Sequence, residues 1–173
     1  MKLNKLQKKI GISFKDDKLL IQALTHKSFD TKNNYEKLEF LGDRVLGFVI
    51  SKKLLELYPN EKVGMIDKKL ANLVNKNKCF EIGKELELDN YILTGNTEKK
   101  KKVNIEKKII SDCCESLIGA IYIDKGFEVS SKFILNYWKN YLNLSDITVI
   151  DSKTRLQEYS LKKFKALPIY KLI

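Results

Sequence analysis

NNYEKLEFLGDRVLGFVISKKLLEL, residues 33–57, reads as one long helix. Asn33 or Asn34 offers an N-cap, and Glu36 falls in the first turn, where the helix dipole favours an acid. Leu38, Leu41, Val45, Phe48 and Val49 recur at three- and four-residue steps, which predicts one buried face. At about 100° per residue, Glu36, Glu39 and Asp43 fall within about 60° of one another. Like charges at that spacing repel. A helix surface built for stability would interleave lysines there, so this stripe asks for a cation in front of it.

A related pattern returns at residues 107–124, KKIISDCCESLIGAIYID. It also reads as a helix, with Ile110, Cys114, Leu117, Ile118 and Ile121 on the buried side. Asp112 and Glu115 stand three residues apart and share a face. If the two helices meet, Glu39, Asp43, Asp112 and Glu115 come together. Gly42 and Gly119 lie in these same helices. Glycine costs helix stability, so its presence predicts a close approach of the two backbones.

Carboxylates with no histidine beside them suit a hard cation, Mg²⁺ or Mn²⁺. The lone histidine, His26, stands in no Glu-x-x-His pattern, and neither CxxC nor HExxH occurs. Carboxylate-held magnesium is the equipment of phosphodiester hydrolysis. There the ion activates a water and neutralises the charge that develops on phosphate.

The residues carry a resemblance as well. YEKLEFLGDRVL (35–46) is similar to the NERLEFLGDSVL signature of bacterial ribonuclease III, and SDCCESLIGAIYID (111–124) resembles that family's second acidic motif. ALTHKSF (23–29) and DSKTRLQEY (151–159) resemble further landmarks, in the family's order. The resemblance implies an all-α endonuclease domain that works as a homodimer and cuts double-stranded RNA with Mg²⁺, which Mn²⁺ can replace. It implies metal-binding roles for Glu39, Asp43, Asp112 and Glu115, with Asp43 and Glu115 catalytic, and makes Glu36 a further acid of the signature. It also implies 5′-phosphate and 3′-hydroxyl product ends and a place in rRNA and mRNA precursor processing. Where relatives carry an acid before a glycine near the dimer interface, this chain has Val63. Arg44 and Lys108 both stand where serine is usual.

The implied division is a nuclease domain over 1–146, a linker over 147–150, and over 151–173 the truncated α–β start of a double-stranded-RNA-binding domain. A helix from Asp151 to Phe164 and a strand opening at Leu167-Pro168-Ile169-Tyr170 are expected there. Earlier in the chain, helices are expected over 1–10, from Asp16 or Asp17 to Thr25, over 65–87, and over 127–142.

Lys and Arg number 33 against 22 Asp and Glu, giving a net charge of +11, which suits a polyanionic partner. Only Arg44 and Arg155 are arginine, so biased coding composition accounts for the excess as readily. The run Lys99, Lys100, Lys101 and Lys102, together with Lys108, supplies candidate RNA contacts, although such runs are usually solvated loops. His26 reads as a structural residue bonded to its neighbours. Cys79, Cys113 and Cys114 form no disulfide framework and suit a reducing cytoplasm. No stretch has the apolar length of a membrane span or the form of a signal peptide.

The alternative is a relative with weak or no cutting that binds duplex RNA or ribosomes. Retention of all four acids argues against it. The nuclease expectation requires that the two acidic segments meet and that lysines do not tie the acids up.

Overall fold

A computed structural model of the chain describes residues 2–95, 106–144 and 152–169. Its elements are α1 (Lys2–Ile10), α2 (Asp17–Ala23), α3 (Glu36–Leu57), α4 (Val63–Leu73), α5 (Lys76–Glu85), a 3-10 turn at Leu88–Asn90, α6 (Lys107–Lys125), α7 (Phe127–Leu144) and α8 (Ser152–Phe164). Among the described residues the pairing of extended backbone is confined to an isolated bridge between Thr25 and Leu93. The all-α expectation holds. Lys99–Lys102, the 147–150 linker and Tyr170 lie outside the described residues. Residues 167–169 take no strand.

Local chemistry accounts for most boundaries. Gly11 ends α1 with a left-handed backbone, φ +69°. The Asp16 carboxylate accepts from the Lys18 N–H and caps α2. At α3 the Asn34 side chain accepts from the Glu36 N–H at 3.0 Å. Pro59 follows the end of α3 closely, as a residue that cannot continue a helix.

The single helix expected over 65–87 is in fact two, α4 and α5, and the first begins already at Val63. Asn75 makes the break. Its side-chain amide donates to the Ala71 and Asn72 carbonyls at 3.2 and 2.9 Å, which closes α4. Its side-chain oxygen accepts from the Lys78 N–H at 3.1 Å, which opens α5. A short polar side chain that competes with backbone hydrogen bonding favours such junctions over helix interiors.

α6 lies at the centre, with α2, α3, α5 and α7 packed against it. Periodicity predicts one buried side, but every residue from Ile109 to Ile121 is buried. Small residues make this feasible, since Ser111, Ser116, Gly119 and Ala120 let neighbours close in on the remaining sides. The Ser116 hydroxyl is satisfied by the Ala23 carbonyl at 2.9 Å. Trp138 of α7 is wholly buried and donates its indole N–H to the Leu73 carbonyl at 2.8 Å. Cys79, Cys113 and Cys114 are free and buried, as small core residues.

Phe48 departs from the expected buried face of α3. It is 61% exposed, and its ring lies 5.6 Å from that of Phe127. The buried face is instead Leu38, Gly42, Val45, Leu46, Val49, Ile50 and Leu54. In α8, Leu156, Tyr159, Leu161 and Phe164 are exposed. No helix of the described residues is long and apolar enough to cross a membrane.

Candidate active site

The site is made by the crossing of α3 and α6. A Cβ added at Gly42 would lie 1.7 Å from the Glu115 carbonyl oxygen, and one at Gly119 would lie 2.2 Å from that of Leu38. Only glycine allows backbones so near. The expected close approach is present, and it brings the two acidic segments together.

Glu39, Asp112 and Glu115 each offer a carboxylate oxygen within 4.8 Å of the others. Their surroundings are unequal. The side chains of Asp112 and Glu115 are 3% exposed, that of Glu39 26%. Tyr35, a residue for which the sequence reading gave no role, donates its hydroxyl toward Asp112 at 3.5 Å. Burial, then the nearby charge of Asp112, holds the Tyr35 phenol well above its usual range, so it stays a donor. Its ring also lies 5.6 Å from that of His26. His26 itself bonds locally, its Nδ1 lying 2.8 Å from the Ser28 hydroxyl, as the structural reading expected.

A lysine does enter the cluster, against expectation. Lys76 Nζ donates to Asp112 at 2.6 Å, to Glu115 at 2.7 Å and to Glu39 at 3.0 Å. Burial lowers the affinity of Lys76 for its proton, but these hydrogen bonds outweigh it and hold the ammonium charged far into alkali. Burial likewise raises Glu39 and Glu115 above the usual carboxylate range, and Lys76 offsets this only in part. Three carboxylates meet one ammonium, so the cluster carries more negative charge than this lysine balances.

Asp43 stands beside this triad rather than in it. It faces Glu115 closely enough to raise that carboxyl, while its own carboxylate pairs with Arg44 at the surface. The Arg44 guanidinium also lies 4.9 Å from the Phe40 ring centre. Glu36 is exposed and pairs with Lys27 at 3.2 Å.

Two recesses flank Glu39. One, of about 400 Å³, is lined by Glu36, Phe40, Asp43, Arg44, Lys76 and Glu115 as well as Glu39. The other, of about 220 Å³, takes in Asp112, His26, Lys27, Tyr35 and Lys108. Lys108 thus stands in the wall of the site, one turn ahead of Asp112.

A family model described as Ribonuclease-III-like matches residues 16–142. The chain belongs to the ribonuclease III family. It is 62% identical to a protein named Ribonuclease 3 from Pelagibacter ubique (strain HTCC1062), over 100% of this chain and 78% of that one. It is 42% identical to Ribonuclease 3 of Hahella chejuensis, over 99% of this chain and 76% of the relative. Among solved structures, the nuclease domain of ribonuclease III from Campylobacter jejuni superposes with a TM-score of 0.76 at 37% identity, covering 80% of this chain and 97% of that domain. That structure is described as flexible in a region involved in dimer formation. The sequence resemblance is borne out, and the molecule is an enzyme of the ribonuclease III type.

Proposed function

We propose that this enzyme hydrolyses phosphodiester bonds of double-stranded RNA with Mg²⁺ or Mn²⁺, leaving 5′-phosphate and 3′-hydroxyl ends. The observation that carries the reading is the convergence of Glu39, Asp112 and Glu115 oxygens within 4.8 Å, beside Asp43, in a chain of this family. Carboxylate oxygens suit a hard divalent ion, and three carboxylates on one ammonium leave the site short of positive charge. Glu39, Asp112 and Glu115 would hold the ion, with Asp43 at the rim. When bound, it supplies activation of water and neutralisation of charge on the reacting phosphate.

The chain's own residues set the geometry around that ion. The glycine crossing fixes Glu115 against α3, and Tyr35 steadies Asp112. Asp43 and Glu115 are the catalytic acids of this reading. Glu36 adds negative potential at the mouth. Lys108 lines the same site, and its charge would meet a phosphate of the duplex. Duplex RNA would be read by shape, phosphates and 2′-hydroxyls, with little dependence on sequence. Residues 151–173 would follow a nuclease domain over 1–146 as the start of an RNA-binding module, with the duplex held chiefly by the nuclease cleft.

Homodimerisation belongs to the same proposal. Phe40, Phe48 and Leu55 are 65%, 61% and 59% exposed. At about 100° per residue they share a stripe of α3 about 80° wide, next to the acids. An apolar stripe of that kind suits a self-complementary interface. Processing of ribosomal and messenger precursors in the cytoplasm is the role that fits such an enzyme.

The test is incubation of a long RNA duplex with the chain in Mg²⁺, with EDTA and Glu115→Gln as controls. Short duplexes with 5′-phosphates are expected from the wild type alone. Binding of the duplex without cutting, in Mg²⁺ and in Mn²⁺, overturns the reading in favour of a binding role.

A further inference from the structure

We propose that Lys76 is a built-in counter-cation of the carboxylate site, seated among the acids of the metal-free enzyme and expelled when a divalent ion enters. The inference rests on the reading of Glu39, Asp112 and Glu115 as metal ligands, and concerns what those ligands hold before the ion arrives. An ammonium group has three N–H donors. At Lys76 they meet three carboxylates, at 2.6, 2.7 and 3.0 Å. The ligand oxygens themselves lie within 4.8 Å of one another, so the nitrogen takes the space between them. Magnesium draws its oxygens in to about 2.0–2.1 Å. An ammonium and a divalent ion cannot share that volume, and their charges repel.

The surroundings explain why a lysine sits there and how it leaves. Asp112 and Glu115 are almost wholly buried, and buried charges left without a partner cost several kcal/mol each as an order of magnitude. Three carboxylates and one ammonium still leave the cluster at a net charge of −2, which a divalent ion in the ammonium's place would reduce further. The backbone at Lys76 is held by the Asn75 junction, bonded to α4 on one side and α5 on the other, so the movement falls to the side chain. That side chain is 51% exposed and borders the 400 Å³ recess. The exit is toward Asp43 and Glu36, at the mouth where a phosphate backbone would arrive. Entry of the ion would thus place a positive charge on the substrate side of the site.

Two measurements on the full chain without RNA test this. Mn²⁺ binding, read from the electron paramagnetic resonance of the free ion, is expected to be at least fivefold tighter in Lys76→Met than in wild type. Amine acylation mapped by mass spectrometry is expected to be slow at Lys76 in EDTA and several-fold faster in saturating Mg²⁺, with exposed Lys5 unchanged. Equal or weaker Mn²⁺ binding in Lys76→Met, while the wild type binds, overturns the proposal and leaves the metal reading standing. Absence of Mn²⁺ binding in both proteins removes the metal reading and this proposal with it. If Lys76→Met does not fold in EDTA, the acylation of the wild type decides: unchanged reactivity with Mg²⁺ rejects the displacement.

Discussion

The two helices that build the site hold their acids in opposite ways. α6 is buried along its whole middle and presents Asp112 and Glu115 from the interior. α3 is buried on one face, and Glu39 and Asp43 sit near its water-facing edge, at 26% and 39% exposure. One half of the cluster is therefore fixed by packing and desolvated, and the other half is open and adjustable. Electrostatic preorganisation is worth most where water is excluded, and substrate must enter where it is not. Substitutions on the two helices should consequently part company in stability even where they agree in lost activity.

The largest effect is expected at the seam between the helices. Gly42→Ala puts a methyl group onto the Glu115 carbonyl oxygen, a backbone atom that no side-chain rotation can move. Overpacking of this severity is expected to cost about 3 kcal/mol or more. Parting the helices by about 1 Å also misplaces the acids, worth about 100-fold in rate. Gly47, in the same helix, has nothing within 4 Å of its added Cβ. Gly47→Ala should raise stability by up to about 1 kcal/mol through helix propensity alone. Thermal unfolding of the two variants checks the contrast. A cost at Gly47 close to that at Gly42 would show the outer face of α3 to be packed as well, against a second copy.

Next in its effect on stability is the contrast between Glu115→Gln and Asp43→Asn. Both are expected to lower the cleavage rate by about 10³-fold, the scale for losing a group that stabilises charge in the transition state. Only Glu115→Gln should stabilise the metal-free protein, raising its melting temperature, because burial makes the fold prefer the neutral form there. The pH dependence follows with its sign. Folded Glu39 and Glu115 hold their protons more tightly than in the unfolded chain, first because of burial. Metal-free stability from these groups is therefore highest below about pH 4.3, and it falls as pH rises through their raised values, then levels. Wild-type minus Glu115→Gln stability, measured from pH 4 to 8 in EDTA, should decline across that range. A flat difference would show Lys76 to balance the cluster fully.

Much of this site was legible because its residues break rules that a merely stable helix obeys. Stacked acids at Glu36, Glu39 and Asp43, and glycines at positions 42 and 119, are costly unless another helix and a cation meet them. What stayed hidden were contacts made from elsewhere in the chain. Lys76 reaches the acids only because Asn75 breaks the helix before it, and the apolar pattern through Leu73, Phe80 and Ile82 masks that break. A polar Asn between two helical turns was the available signal. Phe48 falls in the apolar period of α3 yet lies exposed, because period alone cannot tell a buried stripe from one awaiting a second surface. Tyr35 gave no signal at all, since its role is a hydrogen bond to a residue far along the chain. The burial of α6 on every side from Ile109 to Ile121 escaped for a related reason: apolar spacing reports one face, whereas small residues on the others report only permission to pack.

The smallest effect expected belongs to the second recess. Lys108 shares its wall with Asp112, Glu39 and Tyr35, yet it lies at the exposed start of α6. Lys108→Ala should leave thermal stability within about 0.5 kcal/mol of wild type, as surface substitutions do. If the residue meets one phosphate, duplex affinity should fall and the slope of log K against log salt should shrink by about 0.7–0.9. The Asp43→Asn variant, whose change lies on the other recess, should lose cutting while keeping that slope. Titration of a non-cleaving background with duplex RNA at several salt concentrations reads both. An unchanged slope in Lys108→Ala would assign the lysine to balancing Asp112 and Glu39, and would leave the phosphate contacts to the open side of the site around Arg44 and Lys76.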